Sequence, residues 1–113
     1  MSDDVDLVRG TLDLFVLKAL IWRPMHGLAI LRWIESVSDS RLQIEEGALY
    51  PALHRMEQKG WLDGVWGTTD GNRRAKFYRL TARGRKQFAE RLATWKRYTQ
   101  VAAMVLSFDG RRA

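Results

Sequence analysis

The chain has 113 residues, enough for one domain or one domain with an appended element. Its 46% hydrophobic content supports a packed core and argues against disorder. The net charge of +6 is unevenly spread, with 7 basic and 10 acidic groups in residues 1–63 against 12 and 3 in residues 64–113. Charge of that sign and concentration points to an anionic partner, nucleic acid or a membrane surface. The absence of cysteine excludes disulfide and thiolate chemistry and fits a reducing compartment. Asp3, Asp4 and Asp6 carry the wrong charge for the start of a secretion signal, and no apolar run approaches the length of a membrane span. The expected setting is the cytoplasm, with no membrane partner.

In chain order, a first helix is predicted from about Thr11 to Trp22, with Thr11 as N-cap and Pro24 as the stop. Its sequence is apolar almost all round, so it is buried or shared with a partner. Met25-His26-Gly27 reads as a turn. A second helix follows to about Val37, with Leu28, Leu31 and Ile34 at helical spacing beside Ile30 and Trp33. Ser36, Ser38, Asp39 and Ser40 mark a loop, and the alternation of Arg41 to Ile44 suggests a very short strand.

A third helix begins near Glu45 or Glu46, whose carboxylates suit a helix N-terminus. Leu49, Ala52, Leu53 and Met56 form its core stripe. The opposite face carries Gly47, Pro51, His54, Arg55 and Gln58, with Tyr50 at its flank, and Gly60 closes the helix. Two strands are predicted over 62–68 and 75–80, with Asp70-Gly71 turning between them. Thr81 then caps a last helix to Ser107, about 26 residues and roughly 39 Å long. Its apolar residues Phe88, Leu92, Trp95, Ala102 and Leu106 are spaced 4-3-7-4, and Tyr98, Val101, Val105 and Phe108 form a parallel stripe. Such spacing supports helix pairing, and the helix is longer than a domain this small can cover.

The order helix, helix, helix, hairpin, long helix is that of a winged helix-turn-helix with a C-terminal helical extension. The fold class is α+β, mostly α, with a two-stranded wing, a DNA-binding domain over residues 8–80 and a dimerisation helix over 81–108. From Gly71 to Lys86 the wing and the helix after it hold seven basic residues (Arg73, Arg74, Lys76, Arg79, Arg83, Arg85 and Lys86) and no acidic one. Arg73, Arg74 and Lys76 sit at the hairpin tip, placed for phosphate or minor-groove contact. Arg79 and Arg83 have a structural alternative, pairing with acidic groups of the first three helices. On the third helix, Gly47 and Ala48 are small enough for close approach to a DNA backbone. Arg55 can bond guanine bidentately, His54 can donate to a base or phosphate, and both can equally be solvated. Tyr50 can pack at the core edge or offer its hydroxyl.

The stretch Gly47-Ala48-Leu49-Tyr50-Pro51-Ala52-Leu53, then Arg55-Met56-Glu57 and Lys59-Gly60-Trp61-Leu62, resembles the PadR family of bacterial transcriptional regulators. Tyr78-Arg79-Leu80-Thr81 with Gly84, Gly10-Thr11-Leu12-Asp13, and His26-Gly27 extend the match over about residues 8–95. The resemblance implies a homodimeric repressor whose recognition helices and wings bind a palindromic operator in double-stranded DNA, with a phosphate contact from Tyr50. It also implies that the last helix joins the first to build the dimer, through Leu14, Leu17, Phe88, Leu92, Trp95, Tyr98, Ala102, Val105 and Leu106. A single helix after the wing resembles the short subgroup of the family and leaves an effector only the dimer interface.

Two histidines, no cysteine and no clustered carboxylates give no metal site and no hydrolytic triad, so neither an enzyme nor a cofactor is expected. Trp22, Trp33 and Trp61 are read as core or core-edge, and Trp66 as half exposed on the wing. Trp95, at a two-fold axis, would pack against its mate or flank a flat cavity for a small aromatic effector. Two alternatives to the repressor remain at this point: a winged-helix protein-interaction module, and a regulator sensing a planar aromatic ligand at its dimer interface.

Overall fold

The computed structural model describes residues 7, 8 and 10–111; Asp3, Asp4, Asp6 and Arg112 lie outside them. Helix α1 (Thr11–Ala19) is buried along most of its length. Its N-cap is Gly10, whose left-handed φ of +87° glycine adopts without strain, and not Thr11. The Thr11 hydroxyl instead donates to the Val8 carbonyl at 2.6 Å. The helix ends at Ala19, short of the expected Trp22. Leu20 and Ile21 continue in a tighter turn, their amides donating to Leu17 and Lys18.

Met25–His26 is not a turn but a two-residue strand, β1. It leads directly into helix α2 (Gly27–Val37), where the His26 ring accepts from the Ala29 amide at 3.3 Å as N-cap. Ile30, Leu31 and Ile34 face the core, while Leu28 lies at its edge and is partly exposed. After α2, Asp39 and Ser40 adopt left-handed φ values of 52° and 60° and wrap the chain back. Residues 41–44 then run as loop, correcting the expected short strand. The alternation there marks burial, not pairing: Leu42 and Ile44 pack on the core, and both neighbours of β3 are supplied by β1 and β2.

Helix α3 (Glu46–Gln58) buries Leu49, Ala52, Leu53 and Met56 on one stripe, as its spacing predicts. Gly60, at φ +77°, turns the chain out of it. The Gly60 amide donates to Glu57 and the Trp61 amide to Met56, a paired closure that satisfies the last carbonyls. Strand β2 (Leu62–Thr68) and strand β3 (Arg74–Leu80) form the wing, in register from Leu62↔Leu80 to Thr68↔Arg74. The turn is three residues, 70–72, closed by the Thr69 amide on the Arg73 carbonyl at 2.8 Å. Its left-handed position is Asn72 at φ 62°, not Gly71. Met25 and His26 pair with Tyr78 and Phe77, so the sheet has three strands in the order β1-β3-β2, the third lying before α2 and not at the expected 41–44.

Thr81 caps helix α4 (Ala82–Leu106), its hydroxyl accepting from the Gly84 amide at 3.0 Å. The same hydroxyl donates to the Gly60 carbonyl at 2.6 Å, and the Thr81 amide donates to the Trp61 carbonyl at 3.1 Å. A Cβ on Gly84 would lie 2.1 Å from the Trp61 oxygen, so only glycine lets α4 approach this closely. Gly84→Ala therefore should destabilise the fold by about 1–3 kcal/mol through overpacking against rigid backbone. Urea denaturation reads the change; an unaltered midpoint would mean that α4 is not clamped at this corner.

Candidate nucleic-acid interface

Burial of one face of α3 leaves the other open: Gly47, Ala48, Tyr50, Pro51, His54 and Arg55 are all exposed. No atom lies within 4 Å of where a Gly47 side chain would start, so this end of the helix is sterically clear. Pro51 stands in the second turn, where its missing N–H frees a carbonyl one turn back. The Tyr50 ring reaches across to α2 and covers Gly27, where an added Cβ would meet its hydroxyl oxygen at 2.8 Å.

Two ion pairs tie α3 to its neighbours. The Arg55 guanidinium meets the Asp13 carboxylate of α1 at 2.5 Å, and the Asp13 side chain is mostly buried. Arg55 thus keeps only part of the freedom expected for a base-reading side chain, because one guanidinium nitrogen is held toward α1. On the other side, Lys76 of the wing donates to Glu57 at 2.7 Å. That hydrogen bond holds the Lys76 ammonium above the usual lysine range, and burial pushes the neighbouring Tyr78 hydroxyl upward. At neutral pH Lys76 is charged and Tyr78 neutral.

The remaining cations of the basic run divide by what they touch. Arg79 lies 3.6 Å from Asp63 across the wing, and Arg83 donates to the Lys59 carbonyl at the end of α3. Both are structural contacts, although neither meets an acidic group of the first three helices: Arg79 pairs within the hairpin and Arg83 bonds a backbone carbonyl. Arg85 donates to the Ile21 carbonyl. Arg74 lies over the exposed Trp66 ring, 5.0 Å from its centroid, and Arg73 extends from the wing turn. Arg73, Arg74, Lys76, Tyr50 and Trp66 line an open groove of about 1120 Å³ between the wing and α2.

Arg23 and Arg32 complete that groove, and neither was singled out from sequence. Strand β1 brings them there by pairing with β3, and two residues of strand leave no periodicity to read. The one available signal was Arg32 among the polar positions of α2.

The residues expected at a dimer interface are not all alike. Leu17 has no exposed surface and belongs to the protomer's own core, which removes it from any interface. Phe88 packs partly against that core. Leu14 and Trp95 line a hollow of about 540 Å³ between α1 and α4, together with Val8, Arg91 and Tyr98. The far half of α4 is open: Tyr98, Val105 and Leu106 are exposed, Leu106 at 83%, while Leu92 and Ala102 are partly covered. Trp22, expected near the core, is 66% exposed, with Lys18 over its ring and Trp33 beside it. No described helix is long and apolar enough to cross a membrane. Among the described residues no three His, Cys, Asp or Glu side chains gather as a metal site would require.

Three helices, a wing packed beside the third, and a long last helix define a winged-helix protein of the kind found in transcriptional regulators. Residues 16–90 match the transcriptional regulator PadR-like family, and the chain belongs to it. A transcriptional regulator from Clostridium thermocellum is similar, with a TM-score of 0.78 and 28% identity over 85% of this chain and 93% of the other. A PadR family regulator from Eggerthella lenta is 31% identical over 89% and 86% of the two chains, at a TM-score of 0.75. A third, a PadR family regulator from Clostridium difficile, is 25% identical at a TM-score of 0.73, covering 87% of this chain and all of its own. DNA-binding regulation of transcription is what membership of the family implies.

Because Asp13 is mostly buried, removing its partner leaves a carboxylate with little solvent to replace it. Arg55→Ala should cost about 1–3 kcal/mol of stability in addition to any loss of DNA binding. A double-mutant cycle with Asp13→Asn, followed by urea denaturation, isolates the pair. A coupling energy near zero would make the contact incidental.

Proposed function

We propose that the protein is a homodimeric repressor that binds a palindromic operator, with residues 8–80 as its DNA-binding domain and residues 81–108 as its dimerisation helix. The observation that carries the reading is the open face of α3 standing beside a groove lined by the wing's cations. Small residues at Gly47 and Ala48 permit close approach of a DNA backbone to the start of α3. His54 extends from its exposed face, and Arg55 retains further N–H donors beyond the one spent on Asp13. Arg73 and Arg74 then supply sequence-independent affinity by neutralising phosphates, and Lys76 contributes less because its ammonium is paired with Glu57. A protein-interaction module would have no use for that concentration of charge.

The exposed apolar residues of α4 support the dimer. A symmetric partner helix laid along Tyr98, Val101, Val105 and Leu106 would remove them from water. Two recognition helices related by that axis suit half-sites about one helical turn apart.

Replacing Arg73 and Arg74 with Ala should weaken binding to every duplex sequence and flatten the dependence of affinity on salt. Fluorescence anisotropy over a salt series measures both. An unchanged slope would mean that the wing does not touch phosphate.

The hollow between α1 and α4 favours a second reading, a regulator that also senses a planar aromatic compound. Trp95 and Tyr98 stack there with ring centroids 6.4 Å apart and planes 28° apart. Its volume of about 540 Å³ is that of a small-molecule site. Planar aromatic compounds should quench the fluorescence of Trp95, and Trp95→Ala should abolish that component. Quenching that survives the substitution would place the ligand elsewhere.

A further inference from the structure

We infer that Arg23 and Arg32 form a second wall opposite the wing, so that the groove is a two-sided clamp for one sugar–phosphate strand of duplex DNA. The inference rests on the reading of the protein as a DNA-binding regulator and assigns it contacts outside both α3 and the wing.

The observation behind it is a division among the cations. Arg55, Lys76 and Arg79 face carboxylates, and Arg83 and Arg85 are spent on backbone carbonyls. Arg23, Arg32, Arg73 and Arg74 have no carboxylate or carbonyl partner among the described residues, and all four are exposed. These four line the same groove: Arg23 precedes β1, Arg32 lies on α2, and Arg73 and Arg74 lie on the wing. Lys76 makes a fifth cation there, and Asp70 at the wing turn is the one acidic residue of the lining.

Like charges brought together without counter-charges repel one another, and a bound polyanion relieves that repulsion. Guanidinium groups suit phosphate because their fork of N–H donors can engage two oxygens at once. The groove adds neutral donors between its walls. Tyr50 lines it with a hydroxyl. His26, whose Nδ1 accepts from the Ala29 amide, leaves Nε2 as its donor nitrogen. At about 1120 Å³ and open to solvent, the groove exceeds the volume of a typical small-ligand pocket, which favours an extended polyanion over a small ligand.

The test uses the full chain and a random-sequence duplex, so that base reading contributes nothing. Affinity is measured over a salt series for wild type, Arg23→Gln/Arg32→Gln, Arg73→Gln/Arg74→Gln and the fourfold variant. Each phosphate contact contributes about 0.9 to the slope of log affinity against log salt, so each double variant should lower the slope by about 1.8 and the fourfold variant by about twice that. Arg23→Lys/Arg32→Lys keeps both charges and should retain the wild-type slope. A slope unchanged in Arg23→Gln/Arg32→Gln but reduced in the wing variant would overturn the clamp and leave DNA binding by the wing intact. Failure of the wild type to bind duplex even at low salt would remove the DNA-binding reading itself, and the clamp with it.

Discussion

The Trp61 carbonyl is where α3, the wing and the long helix are fixed to one another. It accepts from the Thr81 amide at 3.1 Å and lies against Gly84, while the Thr81 hydroxyl reaches the adjacent Gly60 carbonyl. Gly60 in turn ends α3 through its left-handed φ, and Trp61 leads into β2. Arg91 of α4 lies over the buried Trp61 ring, 4.8 Å from its centroid, which carries the junction about two turns further along α4. A change at this corner would alter the angle between α3 and α4. In the proposed dimer that angle sets the separation of the two recognition helices, so a packing contact far from DNA would govern the fit to an operator.

Charge is the second organising element, and its effect depends on pairing more than on number. The chain carries 19 basic residues, yet several are committed inside the fold. Asp13 anchors Arg55 and so links α1, which borders the α1–α4 hollow, to the helix proposed to contact DNA. Glu57 anchors Lys76 and so links that helix to the wing. These two pairs connect the elements on either side of α3, and neither is placed to bind phosphate with its full charge. Arg23, Arg32, Arg73 and Arg74, which have no carboxylate or carbonyl partner among the described residues, lie instead around the groove between wing and α2.

Much of this was legible in the sequence where a periodic pattern ran long enough. Strand β2 begins and ends at the residues its pattern predicts, the stripe Leu49, Ala52, Leu53 and Met56 is buried, and Thr81 caps α4. Short and long-range features were not legible. Strand β1 is two residues long, too short for alternation, yet it adds a strand to the sheet and delivers Arg23 to the groove. The Arg55–Asp13 pair joins residues 42 positions apart, which no local pattern encodes. Leu17 and Leu14 look equivalent on an apolar helix, and only packing makes Leu17 core while Leu14 borders the hollow. Trp22 shows the reverse error, since hydrophobic character alone placed it near the core and the early end of α1 leaves it exposed.

The central claim is that a symmetric pair of these chains reads a symmetric DNA site. Selection of bound duplexes from a random pool by the purified protein tests it most directly. Enrichment of a palindrome whose half-sites are about one helical turn apart is the expected result. Recovery of sequences with no shared motif, from a protein that still binds duplex in a salt-dependent way, would contradict the claim and leave only non-specific DNA binding.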